Sequence, residues 1–157
     1  MSLAEGFTVR RATVKDAAVI TAHRRAMFKE MRSASDAVLD EMAARFTPWV
    51  EEKLTSGEYL GWFAVAQDGT IAVGAGLWLM DWPAHVVGKG QWRGNILNVY
   101  TEPRFRRLGL ARHLMDVAIE WCRAHNVDTV ILHASDAGRP MYEAMGFRST
   151  NEMRIVL

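Results

Sequence analysis

Cysteine is all but absent: Cys122 stands alone among 157 residues. That excludes an intramolecular disulfide framework and fits a reducing compartment. Charge of one sign is missing too. Nineteen lysines and arginines face 18 aspartates and glutamates, for a formal net charge of +1. Nucleic-acid modules driven by bulk charge carry a strongly basic face, so no nucleic-acid partner is expected. No apolar run is long enough to span a bilayer, and the first residues lack the basic-then-apolar pattern of a secretory signal. The expectation is a cytoplasmic protein with no membrane partner. Nor is there a His/Cys cluster with metal-ligand spacing, so no metal is expected.

What remains is a chain that is 50% apolar, ordinary for a globular protein and long enough to bury a core without staples. The length suits a single domain over 1–157. Phe7 to Arg11 alternates apolar and polar residues as a half-buried strand does. A helix is expected after Thr13, and a second from Ser35-Asp36 to Ser56-Gly57, kinked or divided at Pro48. Gly61–Ala66 and Ile71–Met80 flank an Asp68-Gly69 turn and predict a hairpin. A loop over 81–94 carries Trp82 and Trp92, and a strand over 95–101 stops at Pro103. Residues 107–125 predict a helix with Leu110, Leu114, Val117, Ala118 and Trp121 on its apolar face. Val127–His133 predicts a strand, 138–145 a short helix closed by Gly146, and 147–157 one or two final strands. The order βααβββαβαβ is an α/β mixed sheet with helices on its faces.

One junction carries chemistry. The strand ending at Thr101 is followed by Pro103 and then Arg106-Arg107-Leu108-Gly109-Leu110-Ala111 at a helix start. The first amides of a helix have no intrahelical partner, and with the helix dipole they attract anions. Gly109 and Ala111 keep side chains out of the way, while Arg104, Arg106, Arg107 and Arg112 add positive charge. The pattern reads as a phosphate or diphosphate site. It lacks the Lys-Ser/Thr pair of a P-loop and the three glycines of a dinucleotide site.

In this context the sequence resembles the GCN5-related N-acetyltransferase (GNAT) family. That family carries Arg/Gln-x-x-Gly-x-Gly/Ala after a strand and a proline, read here from Asn98 to Ala111. Its second signature, Tyr-Glu-x-x-Gly-Phe, is read at Tyr142-Glu143-Ala144-Met145-Gly146-Phe147. The likeness covers nearly the whole chain, most clearly Ile96 to Phe147. It implies a central mixed sheet splayed between strands 4 and 5, with helices on both faces. The implied co-substrate is acetyl-CoA. Its diphosphate would lie on the backbone of Arg106, Arg107, Leu108, Gly109, Leu110, Ala111 and Arg112. Its pantetheine arm would pair with Val99, Tyr100 and Thr101, in the gap beside the strand holding Val130 to His133. Tyr142 matches the tyrosine near the coenzyme sulfur, a general acid for the departing thiolate. Ser135 stands where the family commonly has asparagine, and keeps one hydroxyl for a coenzyme contact. Gly138 replaces a frequent alanine.

The acceptor side departs further. Asn95 aligns with the family's carboxylate base and cannot act as one. Glu30 is the first candidate to replace it, ahead of His23, Asp81 and His133. Met27, Phe28, Met31, Trp78, Trp82 and Trp92 are candidates to line an apolar acceptor pocket. The resulting expectation is direct acetyl transfer to a primary amine of a small molecule or peptide. A non-catalytic acyl-CoA sensor and a protein N-acetyltransferase are the rivals. The tail and the tryptophan loop permit a homodimer.

Overall fold

A computed structural model describes residues 2–157. Five strands form one sheet in the order β1-β2-β3-β4-β5. They are β1 (Phe7–Arg11), β2 (Tyr59–Ala66), β3 (Ile71–Asp81), β4 (Trp92–Thr101) and β5 (Val130–Leu132). The first four are antiparallel neighbours, while β5 joins β4 in parallel. Helices α1 (Ala17–Glu30) and α2 (Asp36–Ser56) precede β2; α3 (Leu110–Ala124) and the short α4 (Arg139–Ala144) flank β5.

Alternation along β2 shows how the sheet serves two cores. Leu60, Trp62 and Ala64 face one way, against Leu110, Leu114, Met115, Ala118 and Cys122 of α3. Tyr59 and Phe63 face the other way, against Ala17 and Ile20 of α1 and Phe46 and Val50 of α2. A period of two on the strand thus meets a helical stripe on each side. Among the described residues, no helix is long and apolar enough to cross a membrane.

Several sequence expectations change. Pro48 neither kinks nor divides the helix enough to end it: α2 runs unbroken from Asp36 to Ser56. Burial of Phe46 and Val50 on either side of Pro48 holds the helix together despite one missing amide donor. Gly57 (φ 80°) then ends α2 in the left-handed region. The helix expected from Arg107 begins at Leu110 instead, because Arg107 (φ 64°) and Gly109 (φ 74°) are left-handed. Only Val130–Leu132 of the expected strand 127–133 is paired. The final strands do not form; residues 147–157 have no regular structure. The tail's apolar residues Met153, Ile155, Val156 and Leu157 are exposed, so burial supplies nothing to fix a register there.

Candidate active site

The site begins with an irregularity in β4. Gly74 pairs with Tyr100 and Gly76 with Leu97, which leaves Asn98 and Val99 opposite Ala75 alone. This is a β-bulge, and Asn98 takes the left-handed conformation it needs (φ 56°). Asparagine tolerates that region better than most residues. Its side chain is then held from both ends: Nδ2 donates to the Tyr59 hydroxyl at 3.0 Å, and Oδ1 accepts from Arg24 Nη1 at 2.9 Å. The Arg24 guanidinium lies between the rings of Phe28 and Phe46. Burial pushes the Tyr59 phenol up to about 12, so it stays protonated. Sequence reasoning passed over this network; an asparagine in the middle of a strand pattern was the signal.

Beyond the bulge the sheet opens. β5 pairs with β4 only across Gly94–Ile96. The stretch Leu97–Thr101 therefore turns an unpaired edge toward the gap, and the expected pantetheine strand, Val99 to Thr101, lies on that edge. Val99 packs on the same core as Met141 and Tyr142 of α4.

At the end of β4 the chain is braced before it turns. Glu102 donates its amide to Ala72 O at 2.9 Å. Arg104 donates to Thr70 Oγ1 at 3.0 Å. Arg106 Nε donates to Thr101 O at 3.1 Å, and its Nη2 lies 2.7 Å from both oxygens of Glu30, the last residue of α1. The Tyr100 hydroxyl donates to the same carboxylate at 3.0 Å. Burial first, and Glu30 second, push that phenol up to about 12. The left-handed residues Arg107 and Gly109 then curl the backbone into α3, whose N-terminus no side chain caps. Arg112 reaches Asp116 at 3.2 Å, whereas Arg107 forms no ion pair among the described residues. Uncapped amides, a helix dipole and an unpaired guanidinium occupy one exposed turn, which suits an anion.

Tyr142 stands on α4. Its ring packs edge-on to Phe147 at 6.0 Å between centroids and covers the turn that starts α4. A Cβ on Gly138 would lie 2.9 Å from the ring and 3.2 Å from Ser135 Oγ, so the glycine makes room for the tyrosine. Ser135 Oγ accepts the Gly138 amide at 3.2 Å; the hydroxyl proton stays available. Burial raises the Tyr142 phenol above its ordinary range. Its hydroxyl forms no hydrogen bond among the described residues.

A profile of the Acetyltransferase (GNAT) family matches residues 20–147. The chain belongs to the GNAT acetyltransferase family. A GCN5-related N-acetyltransferase from Ralstonia eutropha is 31% identical and superposes with a TM-score of 0.91, covering 97% of this chain and 99% of that one. A predicted acetyltransferase from Clostridium acetobutylicum, solved with acetyl-CoA, is 25% identical with a TM-score of 0.87, each chain covered to 96%. Glucosamine-6-phosphate N-acetyltransferase from Arabidopsis thaliana shares the fold at 20% identity and a TM-score of 0.69, covering 98% and 99%. No curated protein matches the chain.

The GNAT fold does not gather the expected acceptor residues into one pocket. Trp78 packs on Trp49 at 5.3 Å, Phe28 carries Arg24, and Trp82 lies under the Arg93 guanidinium at 3.8 Å. Met31 and Trp92 are exposed. Asn95 faces Trp78 across the β3–β4 ladder, and its buried Oδ1 has no partner. His23 is buried beside Phe63 and Tyr100, and burial pulls its imidazole down to about 4. His133 lies 3.3 Å from Glu152 at the surface. Cys122 is buried, with its thiol pushed up to about 11, so it is a poor nucleophile. Among the described residues no group of three or more His, Cys, Asp or Glu side chains is arranged to hold a metal ion.

Proposed function

We propose that this chain, acting over 1–157 as one domain, moves an acetyl group from acetyl-CoA directly to a primary amine of a small molecule or peptide. The observation that carries the reading is the uncapped, left-handed turn Arg106–Ala111 at the end of a strand edge that β5 leaves free. A diphosphate fits the turn, and an amide-bearing arm fits the edge as an added strand would. The Clostridium relative solved with acetyl-CoA supports the same donor. Ser135 and Arg112 flank its path.

In the reaction the amine nitrogen attacks the thioester carbonyl carbon. A β4 amide near Val99, just past the bulge, stabilises the developing oxyanion. The C–S bond breaks as the intermediate collapses, and the Tyr142 phenol gives its proton to the sulfur. The amine's own proton leaves through water or Glu30. Glu30 is on the acceptor side, but both of its oxygens already receive Arg106. The lone buried thiol suits a cytoplasmic setting, and the exposed tail suits a homodimer.

Release of free thiol from acetyl-CoA, measured over a panel of small amines, amino acids and peptide N-termini, tests the reading. Amine-dependent release is expected. Tight acetyl-CoA binding with no release on any amine would establish the sensor reading, which the replacement of a carboxylate by Asn95 favours.

A further inference from the structure

The side chain that sequence reasoning singled out as a base sits in a different kind of arrangement. Glu30 ends α1, and each of its oxygens lies 2.7 Å from Arg106 Nη2. One oxygen also accepts the Tyr100 hydroxyl at 3.0 Å. Three of the roughly four acceptor sites of this carboxylate are therefore taken by Arg106 and Tyr100. Arg106, for its part, spans two elements at once. Its Nη2 reaches α1, and its Nε holds Thr101 O at 3.1 Å, the last carbonyl of β4. Three residues later the backbone must be left-handed at Gly109, with no side-chain cap on α3. On the α1 side the segment is otherwise approached by His23, 3.8 Å from Glu102, and Arg104 ties it to the β2–β3 hairpin through Thr70.

Resting on the reading that coenzyme A binds this turn, we propose that Glu30 is a positioning residue. Through Arg106 and Tyr100 it locks the diphosphate turn to the end of α1, so the donor site is preorganised from the acceptor side. Each partner contributes differently. Tyr100 keeps its proton far above neutral pH and so remains a donor to Glu30. The Arg106 fork supplies two directions of hydrogen bonding that a lysine ammonium cannot reproduce in one plane. Because Glu30 and Arg106 are both partly exposed (44% and 43% of their side chains), the lock weakens as salt screens it.

Titration calorimetry with coenzyme A on wild type, E30Q, R106K and the double variant tests the inference. E30Q is expected to weaken coenzyme A binding about five- to tenfold, the scale of a partly exposed charged hydrogen bond. R106K should lose a similar amount, and the double variant no more than either alone, because Glu30 acts through Arg106. In the unliganded protein, amide exchange over Gly109–Arg112 should quicken in E30Q. With an accepted amine, the acid limb of the kcat–pH profile should survive the substitution. Coenzyme binding equal to wild type in E30Q, or additive losses, would overturn the positioning role. Loss of kcat and of the acid limb with binding intact would make Glu30 the base. A wild type that does not bind coenzyme A would sink the donor-site reading itself.

Discussion

At the residue scale, two titratable side chains make opposite predictions. Tyr142 is a phenol raised by burial with an unengaged hydroxyl. Its folded value lies above the ordinary tyrosine value of about 10, so it stays protonated through the neutral range. Replacing it with phenylalanine should lower kcat on the order of a hundredfold, the low end of general-acid contributions, with KM for acetyl-CoA little changed. Equal losses in both would mark a packing role. No basic limb from Tyr142 should appear in the kcat profile below about pH 10. His23 works through stability instead. Burial lowers it from 6.5 to about 4, and the exposed Glu102 carboxylate at 3.8 Å does not offset that. The unfolded chain therefore binds a proton that the folded chain refuses between these values. Stability is full above about pH 6.5 and falls as the pH drops toward about 4, by roughly 3 kcal/mol at most. Denaturant melts of wild type and His23→Gln across that window should converge as the pH falls, since the variant lacks this proton uptake. Parallel curves would contradict it.

At the element scale, the two turns that build the site depend on small residues. Gly138 starts the α4 turn, where an added Cβ would press on the Tyr142 ring at 2.9 Å. Gly138→Ala should displace that ring and cut kcat several-fold while leaving coenzyme affinity nearly intact. Unchanged kcat would mean that the ring yields freely and that its placement is not set by this turn. The signal for these elements was uneven in the sequence. The hairpin at Asp68-Gly69 and the stripe of α3 were legible because turn chemistry and period are local. The diphosphate turn was legible as a motif, yet its helix began three residues late, since Arg107 has no sequence mark of a left-handed backbone. The bulge at Asn98 was marked only by an asparagine in the middle of a strand pattern. It is set by Tyr59 and Arg24, residues 39 and 74 positions away, and no local pattern reports them.

At the scale of the whole molecule, β1 and β5 end the sheet, and two open edges concern the site and the tail. One is the upper half of β4, turned into the gap where the donor is proposed to lie. The other is the outer side of β5, which pairs only with β4. Glu152 lies 3.3 Å from His133, just past β5, so the tail approaches that edge. Met153, Ile155, Val156 and Leu157 then lie exposed. Bare edges and exposed apolar residues favour association between chains. Sedimentation at rising concentration should show dimers, and deletion of residues 153–157 should abolish them. A full-length chain that stays monomeric at every concentration would refute the homodimer. The one or two final strands expected over 147–157 do not form; burial, which helps to fix a register, is missing there in the single chain. The aromatic residues expected on the acceptor side separate because Phe28, Trp78 and Trp82 each pack on a different partner, while Trp92 is exposed.

Where the donor sits is open to hydrogen-exchange mass spectrometry with and without acetyl-CoA. Bound acetyl-CoA should slow exchange at the amides of Arg107–Arg112 and at Val99–Thr101, with little change elsewhere. Protection confined to the separate groove beside Ile119, Val127 and Phe147, or no protection at all, would contradict it.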